Sequence, residues 1–243
     1  MMNQGSFSPF AGLPPVVKNL LIVNIVCFIG SMIFKGANQL FGVYYPDSPF
    51  FHFWQIVTYM FMHGGFAHIA FNMFALFSFG PVLEHVLGSK RFFNFYFICG
   101  FGALFLQVAT QAIEVYQLTG TFFVRDWLEF DSDYTRALHP SLTSESLGSL
   151  AAIYRGPMIG ASGAIYGLLI AYAFLFPNSK LMLIFLPFPI AAKYFVPGMI
   201  ALDLFFGITR ISSLNIAHFA HIGGALFGYI MIKVWRIQRP HFY

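Results

Sequence analysis

Six long apolar stretches, almost free of charge, constrain this chain more than any other feature. They are Asn19–Phe34, Phe66–Leu83, Phe92–Ile113, Gly156–Ser179, Tyr194–Thr209 and Ile211–Ile232, about half of the 243 residues. Asp203 is the one formally charged residue inside them. Runs of this length satisfy every backbone polar group only as helices when water is absent, so they predict membrane-spanning helices. A barrel would instead show short segments of alternating polarity. Composition agrees: 58% of the residues are hydrophobic and 9% charged, against about 25% charged in a soluble domain. An ordinary soluble globular protein and a disordered chain are both excluded. Cys27 and Cys99 lie inside apolar runs and read as small core residues, not as a disulfide framework.

The basic residues orient the spans. With the N-terminus inside, eight Lys and Arg fall on the inner side and five on the outer, three of those five in one long outer segment. The rule applies to short loops, so N-in, C-in is the expected topology. The net charge of +4 is thereby read as inner loops rather than as a nucleic-acid surface. Residues 1–15 and 237–243 are expected to be short cytoplasmic tails flanking a membrane domain over 16–236. The first stretch reads as a retained span rather than a cleaved signal peptide. A shorter apolar piece, Leu181–Ala192, carries Pro187 and Pro189 and reads as an interfacial loop. Lys35–Gly65 is rich in aromatic residues and suits the membrane interface. Glu114–Arg155 holds most of the acidic residues and reads as a solvated insertion. Three roles stay open for it: covering a cavity mouth, binding a partner, or none in catalysis.

Polar groups inside a bilayer are expensive and ask for a reason. The fourth stretch contains Gly160, Ser162, Gly163, Ala164, Tyr166 and Gly167, with Ser162 expected about one turn inside a helix. Backbone N–H groups near a helix start lack intrahelical acceptors and suit a developing negative charge. Tyr166 shares the serine's face. In the sixth stretch, Gly224 and Gly228 lie on the face of His221. If the two glycine faces meet, His221 comes within reach of Ser162 and could serve as its base. His68 and Asn72, four residues apart on the second stretch, are candidate oxyanion donors.

Blander readings stand beside these. Small residues commonly serve helix packing alone, and a histidine in a span could line a proton path or bond another helix. His63, His68, His218 and His221 could gather around a metal, but no recognised zinc spacing accompanies them, so no metal or other cofactor is expected. Asp203 could be a third member of a catalytic triad, a proton carrier, or a polar group reaching the interface from the outer end of its span. The last is preferred on position.

Together these segments resemble the rhomboid family of intramembrane serine proteases, over roughly residues 16–112 and 156–236. Four blocks carry the resemblance: Trp54–Gly65 followed by His68 and Asn72; Leu83, Glu84, Gly88, Arg91 and Phe92; Gly160–Gly167; and Ala220–Gly224 with Gly228. It implies an all-α membrane protein, a bundle of six transmembrane helices, that cuts transmembrane protein substrates near the outer boundary. Ser162 would be the nucleophile and His221 the base, in a dyad without a catalytic Asp. His68, Asn72 and Gly160 would form the oxyanion region, and Tyr166, Gly163 and Gly224 would support the pair. The fifth span would be the substrate gate. The expected partners are transmembrane substrates and the lipid bilayer, in a bacterial inner (plasma) membrane, with no nucleic acid. One departure is Gln55, where the family often carries Arg after the loop tryptophan. Two other classes are weighed: a rhomboid-like binder without catalysis, disfavoured because Ser and His are both present, and a proton-coupled transporter, disfavoured because no internal repeat is visible.

Overall fold

A computed structural model of the protein describes residues 12–131, 134–183, 186–209 and 217–239. The first eleven residues of the expected N-terminal tail, Arg210 and residues 211–216 at the start of the sixth apolar stretch, and 240–243 of the C-terminal tail lie outside the described residues.

The described chain is mostly helical. Helices α1 (Pro15–Ile33), α4 (Phe66–Leu87), α5 (Ser89–Thr119) and α8 (Ala192–Thr209) are each long and apolar enough to cross a membrane. Helices α7 (Ser162–Leu175) and α9 (His218–Val234) are shorter, 14 and 17 residues. Short α2 (Ala37–Phe41) and α3 (Gln55–Thr58) lie between α1 and α4, and α6 (Ser144–Arg155) precedes α7. Helices α5, α7 and α9 form the centre of the bundle, with α1, α4 and α8 around them.

The core holds Leu76, Leu83, Phe92, Phe95, Tyr96 and Leu168, all fully buried. Val17, Leu20 and Leu21 of α1 join it. The outer surface is apolar as well. Val26, Ile29 and Ile33 on α1, Phe71, Phe74 and Phe77 on α4, and Leu202, Phe205 and Ile208 on α8 are all exposed. Water would reject such a surface, whereas lipid tails are as apolar as the side chains that meet them.

Three expectations need correction. The fourth apolar stretch begins at Gly156, but its helix begins only at Ser162. Residues before it are extended: Met158 exchanges both backbone hydrogen bonds with Val43, at 3.0 and 2.8 Å, and Gly160 adopts a φ of +122°. The remaining helix is about 21 Å long at 1.5 Å per residue, less than the roughly 30 Å of bilayer hydrocarbon. The apolar piece after α7, read as an interfacial loop, forms a hairpin: β3 (Lys180–Leu183) pairs antiparallel with β4 (Leu186–Ala191). Its prolines are tolerated because each strand of a two-stranded hairpin keeps one unpaired edge. The third helix runs past its expected end at Ile113 to Thr119, closed by Gly120 in the left-handed conformation.

That extension carries the acidic insertion. The strands β1 (Leu128–Phe130) and β2 (Thr135–Ala137) pair antiparallel, so the fold is not purely helical. The insertion owns a second core of Val115, Val124, Leu128, Leu150, Ile153 and Tyr154, packed with Tyr45. Asp47 ties it to the first outer loop: Oδ2 accepts bonds from the Val124 and Arg125 amides and from the Tyr154 hydroxyl, at 2.8, 3.0 and 2.7 Å. Gln55 holds the first loop itself. Its side chain is fully buried, accepts from the His52 amide, and donates to the Phe50 and Leu40 carbonyls. A neutral amide, both donor and acceptor, thus satisfies the loop backbone at this position.

At the opposite end of α4, Glu84 is 2% exposed. Its carboxylate accepts the Val16 and Val17 amides at the start of α1, at 3.0 and 2.8 Å, and the Ser89 hydroxyl at the start of α5, at 2.7 Å. The exposed partial positive charge of a helix start explains why an anion is favoured there. Changing Glu84→Gln places an NH2 donor against one of these donors. The expected loss is about 1.5–3 kcal/mol, the range for hydrogen bonds to charged groups. Thermal unfolding in detergent micelles reads it, and an unchanged midpoint would contradict the capping role.

Candidate active site

Helices α7 and α9 cross where their glycines face each other. A Cβ built on Gly224 would collide with the carbonyl oxygen of Gly163, and one on Gly228 would lie 2.8 Å from the Gly167 Cα. Backbones this close require the absence of side chains. The crossing brings the first residue of α7 against the first turn of α9. Ser162 Oγ and His221 Nε2 are 2.9 Å apart, within hydrogen-bond distance. The Tyr166 ring, one turn along α7, stacks on the His221 imidazole with centroids 4.3 Å apart and planes 8° from parallel. The ring leaves the imidazole little freedom to tilt.

Ser162 is the first residue of α7, not a residue one turn in. The first intrahelical bond at this end runs from the Ile165 amide to the Ala161 carbonyl, at 3.0 Å. The amides of Ser162, Gly163 and Ala164 therefore have no acceptor within the helix. Gly160 contributes differently from expectation. Its N–H is already given to the Tyr59 carbonyl at 2.9 Å, so it is not a free donor. Its φ of +122° turns the chain into the helix. A Cβ there would lie 2.8 Å from His68 Nε2 and 3.7 Å from Ser162 Oγ, so glycine keeps the space between the two open.

His68 flanks that space from α4. Its Nδ1 accepts the Gly64 amide at 3.2 Å. With Nδ1 as acceptor, a neutral ring carries its proton on Nε2, the nitrogen facing Gly160. Asn72, one turn deeper, is 5% exposed, and its Nδ2 has no hydrogen-bond acceptor among the described residues. A buried donor without a partner costs about 1–3 kcal/mol, which makes it a group held for something that comes and goes. His63 sits behind His68 with rings 5.1 Å apart, edge to face. Burial, then the neighbouring His68, pushes its pKa down to about 4, so the ring is neutral at pH 7.

Asp203 departs furthest from expectation. It is 7% exposed and turned toward α9, not toward the interface. Its Oδ1 lies 2.6 Å from His218 Nδ1 and 3.2 Å from His221 Nδ1. Two imidazole N–H groups replace the water that Oδ1 would otherwise need. His218, three residues before His221, had the spacing to share its helix face, and that was the one signal of this contact in the sequence. These three residues also group as a conceivable metal site, with ligand atoms within 4.8 Å of one another. Two ligands of a tetrahedral zinc at about 2.0–2.1 Å would stand roughly 3.3 Å apart. The 2.6 Å separation of Asp203 Oδ1 and His218 Nδ1 is that of a hydrogen bond instead.

A rhomboid domain model matches residues 51–122 and 134–237. The chain is 30% identical over 185 residues to "Rhomboid protein 1, mitochondrial" of Saccharomyces cerevisiae, covering 76% of this chain and 42% of that protein. It is 28% identical over 182 residues to human "Presenilin-associated rhomboid-like protein, mitochondrial", covering 74% of this chain and 36% of that one. It is 26% identical over 251 residues to "Rhomboid protease AarA" of Providencia stuartii, covering 95% of this chain and 75% of that one. The chain thus spans about two fifths of the length of the two mitochondrial relatives.

Proposed function

Because the chain belongs to the rhomboid family, we propose that it is an intramembrane serine endopeptidase acting on transmembrane protein substrates. The observation that carries this reading is the 2.9 Å contact between Ser162 Oγ and His221 Nε2 beneath a stacked Tyr166. His221 takes the Ser162 proton as Oγ attacks the scissile carbonyl, then returns it to the leaving amine. Water, activated by the same imidazole, hydrolyses the acyl-enzyme. The oxyanion is met by the Ser162 amide, by His68 Nε2–H and by Asn72 Nδ2.

The protein is a multi-pass integral membrane protein. In our reading six spans cross with both termini inside, so that α4 descends from outside, α7 begins below the outer surface, and Glu84 lies at the inner end. The unwound residues before Ser162 then line a wet cavity, where irregular backbone at depth is tolerated. Helix α8, the least buried of the long helices, serves as the substrate gate. We place it in a bacterial plasma membrane on the strength of the relative matched over most of both chains, although relatives of higher identity are named mitochondrial.

A fluorophosphonate probe tests the function. In detergent-solubilised protein it is expected to label Ser162, located by peptide mass spectrometry. A folded protein that takes no label, or takes it elsewhere, overturns the reading and favours a binder without catalysis. The oxyanion assignment makes its own prediction. Asn72→Ala is expected to lower kcat about 10²-fold on a fluorescent transmembrane reporter, with KM unchanged, the effect of removing one oxyanion donor. A rise in KM at unchanged kcat would assign Asn72 to substrate binding instead.

A further inference from the structure

The imidazole of His221 has two nitrogens, and the reaction above uses one. Nε2 must be bare to accept the Ser162 proton, so Nδ1 must carry the hydrogen. Nothing in a neutral imidazole enforces that choice by itself. Asp203 does: a carboxylate is acceptor-only, and its Oδ1 stands 3.2 Å from His221 Nδ1. The same oxygen stands nearer to His218 Nδ1, at 2.6 Å. The group is secluded, with side chains 9% exposed for Asp203, 13% for His221 and 10% for His218.

We propose that Asp203 is a positioning residue that converts the Ser162–His221 pair into a triad, and that His218 moderates it by competing for the same carboxylate oxygen. The inference rests on the protease reading. It departs from the dyad that the family resemblance implies. During acylation the His221 imidazolium gains a counter-charge directly behind it, and Nδ1–H stays aimed at α8. His218 holds part of that charge, so the strength of the pair depends on both histidines. The other groups facing His221 are Ser162 and Tyr166 from α7 and His68 from α4. None of them is a carboxylate, so among the described residues facing His221 only Asp203 stabilises the imidazolium by charge.

The test measures kcat, KM and fluorophosphonate labelling rate for the native protein, Asp203→Asn, Asp203→Glu and His218→Phe. Asp203→Asn is expected to lower kcat about 10²-fold with KM within about two-fold, since an amide neither fixes the tautomer nor neutralises the imidazolium. Asp203→Glu keeps the carboxylate and is expected to recover at least about ten-fold of that loss. His218→Phe frees Oδ1 for His221, so kcat and labelling rate are expected to rise by about two-fold or more. A structural role alone would lower yield or stability and leave kcat of the folded protein unchanged. The inference is overturned if Asp203→Asn stays within about two-fold of native kcat, or if Asp203→Glu recovers none of the loss. If neither Asp203 variant folds, His218→Phe decides: a kcat and labelling rate no higher than native overturn the inference. Native protein that takes no label overturns the protease reading and the triad with it, whereas labelled native protein with Asp203→Asn at native kcat overturns the triad alone.

Discussion

Replacing Ser162 with alanine is expected to reduce cleavage of a transmembrane reporter by about 10⁴- to 10⁶-fold, with the protein still folded. The size follows from how nucleophile and base act as a unit in serine peptidases, where losing either costs nearly as much as losing both. His221→Ala should therefore fall into the same range, and the double variant should be no worse than either single one. Additive losses would mean that the two side chains do not work on the same step. Folding should survive because Ser162 is the first residue of α7, where alanine is well tolerated, and because among the described residues its hydroxyl is paired only with His221. The measurement is reporter cleavage in proteoliposomes, with thermal unfolding as the control. Residual cleavage above about one thousandth of native would assign the nucleophile elsewhere.

Gly224→Val should be as damaging by a different route. The Cβ position at Gly224 falls on the Gly163 carbonyl, with its carbon 2.6 Å and its Cα 3.2 Å away. The obstacle is backbone, so no rotamer change relieves it. Helices α7 and α9 must separate, at a cost in the upper part of the ~1–3 kcal/mol typical of overpacking. Separation also draws His221 from Ser162, and a displacement near 1 Å costs roughly 10²-fold in rate. Loss of both thermal stability and fluorophosphonate labelling is expected. Gly30→Ala in α1 is the contrast: among the described residues nothing lies within 4 Å of its Cβ position. Alanine there should leave labelling intact and add about 0.5–1 kcal/mol through helix propensity. Equal effects from the two substitutions would remove the packing explanation.

The long helices were legible because hydrophobic length is a local property. Runs with almost no charge predict α1, α4, α5 and α8 without knowledge of their neighbours. The pairing of Ser162 with His221 was legible in outline, since small residues on both faces mark where two helices come close. Other features depended on partners far along the chain. The start of α7 is delayed to Ser162 because Met158 pairs with Val43, a bond between residues 115 positions apart that no window of sequence reveals. The hairpin after α7 hides in an apolar piece whose prolines suggest only irregular structure. The extension of α5 to Thr119 is stabilised by the second core, which includes Tyr45 from another loop.

Asp203 marks the boundary most clearly. By itself the sequence determined the solvent, the long helices and the residue types able to perform acyl transfer, because composition and periodicity decide which surfaces tolerate lipid. Whether the one charge inside those stretches faced lipid, water or a histidine was a question of helix rotation and neighbour. Only the tertiary structure decided it, by turning α8 so that two imidazole N–H groups meet a carboxylate that the apolar surroundings would otherwise leave unsatisfied.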